Sequence, residues 1–290
     1  MALTERVERW KSRGAAEDVG GRRIHVFRRD GDGPALLLLH GFPSSSYDWR
    51  LLLDELPGRA ALAYDCLGFG LSEKPAGHEY TLVEQADIAA ELVRRHHPGE
   101  PVFLVGHDMG TSVASELMAR DLEGAVGFEI AGALLFNGSM IQGAASPTFG
   151  QRLLRGPLGP VAVRLSSERF FRSQFGSIFS EAHPLTAEEA ADQWSLISHD
   201  GGARIGHRLI AYMDERELRA ERWHGAIRDW PGALSLAWGM ADPVATERVL
   251  EGVLALRPAV PLERFPELGH YPQLEDPRRL ADALEAAFHA

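Results

Sequence analysis

Seven short β-type runs punctuate this chain: Arg23 to Arg28, Ala35 to Leu39, Ala60 to Tyr64, Val102 to Val105, Ala133 to Phe136, Leu234 to Trp238 and Val260 to Phe265. Several are apolar at every position. A strand with one wet face alternates, whereas a continuously apolar strand must be covered on both faces; that requires a mostly parallel sheet with helices on each side. The intervening stretches read as helices. The best starts at Thr81, with Glu84 three residues on in a capping-box pattern, and runs through Ile88, Leu92 and Val93 to Pro98-Gly99. His96 and His97 fall in its last turn, a favourable place for a cation beside the helix dipole.

The alternation lapses after Phe136. From about Ser139 to Ala220 there are amphipathic helical pieces broken at Gly156-Pro157, Gly159-Pro160 and His183-Pro184, with no strand pattern until Leu234. The expected organisation is an α/β core formed by residues 1–138 and 221–290, with a helical insertion at 139–220.

Composition narrows the function classes. The 290 residues carry a formal charge of −11, which leaves no basic surface for nucleic acid or anionic membranes. A single cysteine, Cys66, forbids an internal disulfide and a thiolate metal cluster. The segment MALTERVERWKSRG has no apolar core of the secretory type, and no apolar run is long enough to span a bilayer, so a cytoplasmic protein is expected. No HExxH, paired-cysteine, phosphate-cradling or dinucleotide motif occurs, and no metal or cofactor is expected.

The chemistry concentrates at Gly106-His-Asp-Met-Gly110, where a buried strand runs through G-x-D-x-G into a helix expected to begin near Thr111 to Ala114. Glycines at 106 and 110 permit a tight strand-to-helix turn that exposes residue 108 above the sheet. A serine there would need a base before attacking a carbonyl. Asp108 is ionised at neutral pH and suits backside displacement at an sp³ carbon, forming an ester, unless it merely caps the following helix. Releasing that ester needs activated water. Asp242 follows the run Leu234 to Trp238, and His270 follows Val260 to Phe265, giving the order nucleophile, acid, histidine. In this reading Asp242 fixes the imidazole tautomer and His270 deprotonates water, while the backbone N–H groups of Phe42 and Met109 form the oxyanion hole. His40 reads as packing beneath its loop, Asp65 as the anchor of the Gly68-Phe-Gly70 turn, Cys66 as an apolar filler, Trp194 as a packing residue, and Trp49, near the oxyanion loop, as either a packing residue or a pocket wall.

Four stretches resemble the α/β-hydrolase superfamily: HGFPSSSYDW at 40–49, DCLGFGLSEKP at 65–75, GHDMG at 106–110 and GHYPQLEDP at 269–277. The aspartate at the elbow is similar to that of the epoxide hydrolase and haloalkane dehalogenase branch, and SSSYDW with HYPQLEDP is most similar to mesoderm-specific-transcript-like proteins. The resemblance implies the α/β-hydrolase fold with a helical cap and, as activity, epoxide hydrolysis. Haloalkane dehalogenases hold the departing halide with a Trp after the nucleophile and an Asn or second Trp nearby; Met109 and Phe42 stand in those places and offer no side-chain donor. Fluoroacetate dehalogenases carry arginines beside the elbow, and Met109 to Val113 contains none, which disfavours acidic substrates.

Epoxide hydrolases use two cap tyrosines to protonate the ring oxygen. Tyr212 falls where one is expected, as either that acid or a packed core residue, while Phe170, Phe171 and Phe175 occupy the stretch of the other. Either one acid suffices, or a donor such as His183 or His207 substitutes. The expected ligand is a small neutral hydrophobic epoxide, with water, in a pocket walled by Phe42, Met109 and the cap phenylalanines; the protein is expected to be a monomer or homodimer. Rival readings are a haloalkane dehalogenase with the same triad and an inactive interaction protein of this fold.

Overall fold

The computed structural model describes residues 2–164 and 166–289. Its strands are β1 (Gly14–Val19), β2 (Arg22–Arg29), β3 (Asp32–Leu39), β4 (Arg59–Tyr64), β5 (Val102–His107), β6 (Ile130–Phe136), β7 (Leu234–Gly239) and β8 (Leu262–Phe265). They form one sheet in the order β1-β2-β4-β3-β5-β6-β7-β8. The β1–β2 and β2–β4 pairs are antiparallel, and the rest are parallel. This is the α/β-hydrolase fold that the resemblance implies.

The continuous apolar runs are explained by where alternate side chains go. Leu36 and Leu38 of β3, Ala61 and Ala63 of β4, and Phe103 and Val105 of β5 enter one layer, with the helices Arg50–Glu55 and Pro277–Ala287. Leu37 and Leu39, Leu62 and Tyr64, and Val102 and Leu104 enter the other, with Leu82–His96, Met109–Leu122, Ala220–Asp229 and Glu247–Leu256. Each leucine of β3 from 36 to 39 is at most 1% exposed. Truncating one to alanine costs about 2–5 kcal/mol at such sites.

Between β6 and β7 the chain is helical, including Phe149–Arg155, Glu168–Gly176, Ala187–Ser198 and Tyr212–Leu218. Ala187–Ser198 is tied down by buried and part-buried polar contacts. Asp192 accepts from Thr4 (2.5 Å), Arg6 (2.7 Å) and the Tyr47 hydroxyl (2.6 Å), and Gln193 donates to Asp48 at 2.7 Å.

Several local expectations change. The sequence pattern missed β1 because GAAEDV lies at the sheet edge and is largely exposed, leaving no apolar signal. It also passed over the N-terminal helix Glu5–Ser12, capped by Thr4. At Thr81 only half the capping box closes: its hydroxyl accepts from the Glu84 N–H at 3.1 Å, while the Glu84 carboxylate meets His78 at 2.8 Å. The helix after the elbow starts at Met109, earlier than expected, and β8 starts at Leu262, later than Val260.

Candidate active site

β5 delivers Asp108 at φ 45°, ψ −110°, between the strand and the helix Met109–Leu122. That backbone is strained for a residue with a Cβ, by about 1–3 kcal/mol, and is retained because the surroundings fix it. A Cβ at Gly110 would lie 2.0 Å from the Leu39 carbonyl oxygen, so only glycine lets the helix begin this close to β3. The Asp108 side chain makes no capping bond to its helix, which removes the cap reading.

The chain leaves β3 through His40-Gly41-Phe42, and the Phe42 N–H donates to Asp108 Oδ2 at 2.9 Å. Met109 places its N–H in the first turn of its helix, where no intrahelical acceptor exists. His40 is buried, with Nδ1 2.8 Å from the Gly41 carbonyl oxygen and Nε2 accepting from the Cys66 N–H at 2.9 Å. Asp65 accepts from Ser46 and Leu71 amides at 2.8 and 2.6 Å and so anchors the following turn. Cys66 is a free, buried thiol, and Trp49 is buried with its edge against Phe136.

Loops after β7 and β8 bring Asp242 and His270 together: His270 Nδ1 lies 2.6 Å from Asp242 Oδ2. Burial alone would push His270 down, but the Asp242 carboxylate, through its charge and hydrogen bond, leaves it above the ordinary histidine value. Asp242 Oδ1 accepts from the Val244 and Ala245 amides at 2.7 and 3.1 Å. Asn137, just beyond β6 at φ 44°, adds a donor to Asp242 Oδ2 at 2.8 Å. The backbone of His270 is fixed as well. Its carbonyl lies 2.7 Å from His107 Nε2, and burial drives His107 well below the usual histidine range, leaving a neutral ring that donates there.

The helix Tyr212–Leu218 brings two side chains one turn apart onto the same face. Tyr212 is buried, tilted against Phe42 at 5.7 Å, and its phenol is pushed up first by burial and then by the charge of Asp108. Arg216, 2% exposed, places its guanidinium 4.7 Å from the Tyr212 ring centroid. Its Nη2 donates to the Asp108 carbonyl at 2.6 Å and stands 3.5 Å from Asp108 Oδ1, while Nε donates to Ser112 at 2.8 Å. Sequence reasoning missed Arg216 because it searched for arginines beside the elbow in the chain. The available signal was its spacing of four residues from Tyr212 on an amphipathic helix.

A cavity of about 280 Å³ reaches this centre at Phe42 and His270 and is bounded further by Phe171, Phe175, Trp194 and Leu209 among others. The structure corrects the expectation for Trp194, which is a cavity wall stacked on Phe171. Met109 and Tyr212 were expected at the pocket, yet neither borders the cavity; Asp108, 1% exposed, lies behind Phe42 and His270 outside its lining, and His183 and His207 do not border it either. Among the described residues no cluster of three or more His, Cys, Asp or Glu is arranged to hold a metal ion, and no helix is long and apolar enough to cross a membrane.

The model of the Alpha/beta hydrolase family matches residues 36–283. LipZ of Mycobacterium tuberculosis is 49% identical over 277 residues, 96% of each chain. The mesoderm-specific transcript protein of Mus musculus is 32% identical over 296 residues, covering 97% of this chain and 87% of that one. Among solved structures, the haloalkane dehalogenase DatA of Agrobacterium tumefaciens superimposes with a TM-score of 0.79 at 22% identity, over 95% of this chain and 96% of that one. The epoxide hydrolase CorEH does so with a TM-score of 0.76 at 20% identity, over 95% and 98%.

Proposed function

The chain belongs to the alpha/beta hydrolase family, and from that premise we propose that it is an epoxide hydrolase that opens a small, neutral, hydrophobic epoxide to a vicinal diol. The observation that carries this reading is the carboxylate of Asp108 at the elbow, with Oδ2 held at 2.9 Å by the Phe42 amide. A carboxylate needs no base to attack carbon, and the amide that orients it in the first step stabilises the oxyanion on the same oxygen in the second.

In the first step Asp108 Oδ1 forms a bond to a ring carbon, the ring C–O bond breaks, and the alkoxide takes the phenolic proton of Tyr212, which lies against the cavity-lining Phe42 ring at 5.7 Å and is reached by substrate that presses past that ring. Burial keeps that phenol protonated at neutral pH, as an acid must be. In the second step His270 takes a proton from water and hydroxide adds to the ester carbonyl, with the charge on Oδ2 facing the Phe42 and Met109 amides. The diol then leaves with the proton from His270, and the regenerated carboxylic acid returns its proton to Tyr212. Asp242 holds the His270 tautomer throughout. The inserted helices act as the cap. The aromatic walls around the cavity support a neutral apolar substrate.

A second reading, halide displacement by the same triad, is favoured by one observation: Arg216 supplies beside Asp108 the anion-competent donor that Met109 and Phe42 lack. The test is a paired assay of purified protein on neutral epoxides and haloalkanes, following diol and halide together. Diol without halide is the expected result. Halide without diol transfers the assignment to the second reading, and release of neither overturns both.

A further inference from the structure

Resting on the covalent Asp108 reading, we propose that Arg216 is the positioning residue of the displacement step: it sets which Asp108 oxygen attacks and stays as the counter-cation when charge passes to the leaving group. The two oxygens of Asp108 are treated differently. Phe42 holds Oδ2 through a 2.9 Å hydrogen bond, whereas Oδ1 faces Arg216 Nη2 at 3.5 Å, beyond hydrogen-bond length. Oδ2 is thereby committed to the oxyanion position. Oδ1 is steered by charge while its lone pairs remain free to attack.

The guanidinium itself is fixed by Ser112 at 2.8 Å, by the Asp108 carbonyl at 2.6 Å and by the Tyr212 ring. It therefore cannot swing away when Asp108 loses its charge. During displacement Oδ1 forms the new C–O bond, the carbon-to-leaving-group pair departs with the leaving atom, and one negative charge moves from the carboxylate to that atom. In a buried site an unpartnered guanidinium is costly, so displacement is assisted to the extent that the charge on the departing atom develops within the field of the guanidinium that stays fixed beside Asp108. Tyr212 feels the same exchange. Burial and then the Asp108 charge hold its phenol up while Arg216 draws it down, so esterification removes the Asp108 influence and keeps the other two. The phenol becomes a better acid as the alkoxide appears.

The test separates the two chemical steps. His270→Ala traps the ester, and intact-mass spectrometry follows adduct growth with styrene oxide and with bromohexane as probes. Adding Arg216→Gln should slow adduct growth about tenfold or more, and Arg216→Lys in the same background should restore part of it. In Arg216→Gln with His270 intact, decay of the adduct should stay within about threefold of the parent protein. Adduct growth at an unchanged rate overturns the role of Arg216 and leaves the covalent reading standing. So does an equal fall in both steps with no gain from lysine, because that is the mark of a structural brace. If Arg216→Gln shows no cooperative melt, Ser112→Ala in the His270→Ala background carries the test, since it frees Nε; several-fold slower adduct growth supports the proposal and an unchanged rate overturns it. No adduct in His270→Ala itself removes the covalent reading and this inference together.

Discussion

The Phe42 amide and the Asp108 carboxylate, 66 residues apart in the chain, meet at 2.9 Å because β3 and β5 are parallel neighbours whose ends reach the same edge of the sheet. Gly41 makes the approach possible. A Cβ there would fall 2.6 Å from Asp108 Cβ and 2.9 Å from Oδ2. Gly41→Ala should therefore push the carboxylate off its amide, and a displacement near 1 Å costs about a hundredfold in rate. The expected result is a fall of that size in kcat with a cooperative melt retained. A variant of near-normal kcat would show that the placement of Oδ2 is not needed for turnover.

His270 should show itself through pH. As the proposed base for the second step it must be neutral. In the free protein the Asp242 charge and hydrogen bond raise it against burial, and in the ester Asp242 remains while the Asp108 charge is lost, so adduct hydrolysis should rise with pH as the imidazole deprotonates. Asp242→Asn removes the charge that opposes burial, so the His270 titration followed by NMR should move downward, while hydrolysis slows by roughly 10³–10⁴ through loss of tautomer control. An unmoved titration would mean that the 2.6 Å contact does not govern the histidine.

Much of this centre was legible in the chain because its parts follow strands. Glycines flank Asp108, Phe42 follows the run ending at Leu39, and Asp242 and His270 follow late strands, so order in sequence became order along one sheet edge. The contributions from the helices between β6 and β7 were not legible in that way. Nothing local to Arg216 says that its helix docks over the elbow, and Trp194 looks like any packed aromatic until Phe171 stacks on it beside the cavity. Asn137 was hidden for a related reason. Its task depends on a φ of 44° and on partners in two distant loops, which no periodicity encodes.

Asp48 should make the fold pH-sensitive. It is fully buried, with the Ser44 hydroxyl at 2.5 Å and the Gln193 amide at 2.7 Å, and burial pushes it up to about 7. An unfolded aspartate titrates near about 3.9, so between roughly pH 4 and 7 the native state binds more protons and stability declines as pH rises. Asp48→Asn keeps both contacts in kind: its amide can donate to Ser44, whose hydroxyl already reaches the Gly41 carbonyl at 3.3 Å. That variant should be more stable at pH 8 by roughly 1–3 kcal/mol and should lose this part of the pH slope. Thermal melts across pH measure it, and an Asn variant melting lower than the parent at pH 8 would contradict the assignment.

Asn137→Gly tests the support behind Asp242 while leaving the backbone at ease, since glycine accepts the φ of 44° that asparagine adopts there. What disappears is hydrogen bonding: the amide to Asp242 Oδ2 at 2.8 Å, the amide to the Gly239 carbonyl at 3.1 Å, and the Gly239 N–H to Asn137 Oδ1 at 2.9 Å. Leaving such buried groups unmatched costs about 1–3 kcal/mol each, although water entering the space would recover part of it. Asp242 keeps the Val244 and Ala245 amides on Oδ1, so it should remain in place with a looser Oδ2, the oxygen that faces His270. In the proposed mechanism ester formation at Asp108 involves neither residue. Adduct growth should therefore continue unchanged while its hydrolysis slows about tenfold, so that adduct becomes visible in turnover with His270 intact. If hydrolysis keeps its normal rate, Asn137 braces only the loop; if adduct growth slows as well, the two halves of the site are coupled through the sheet edge more tightly than these contacts require.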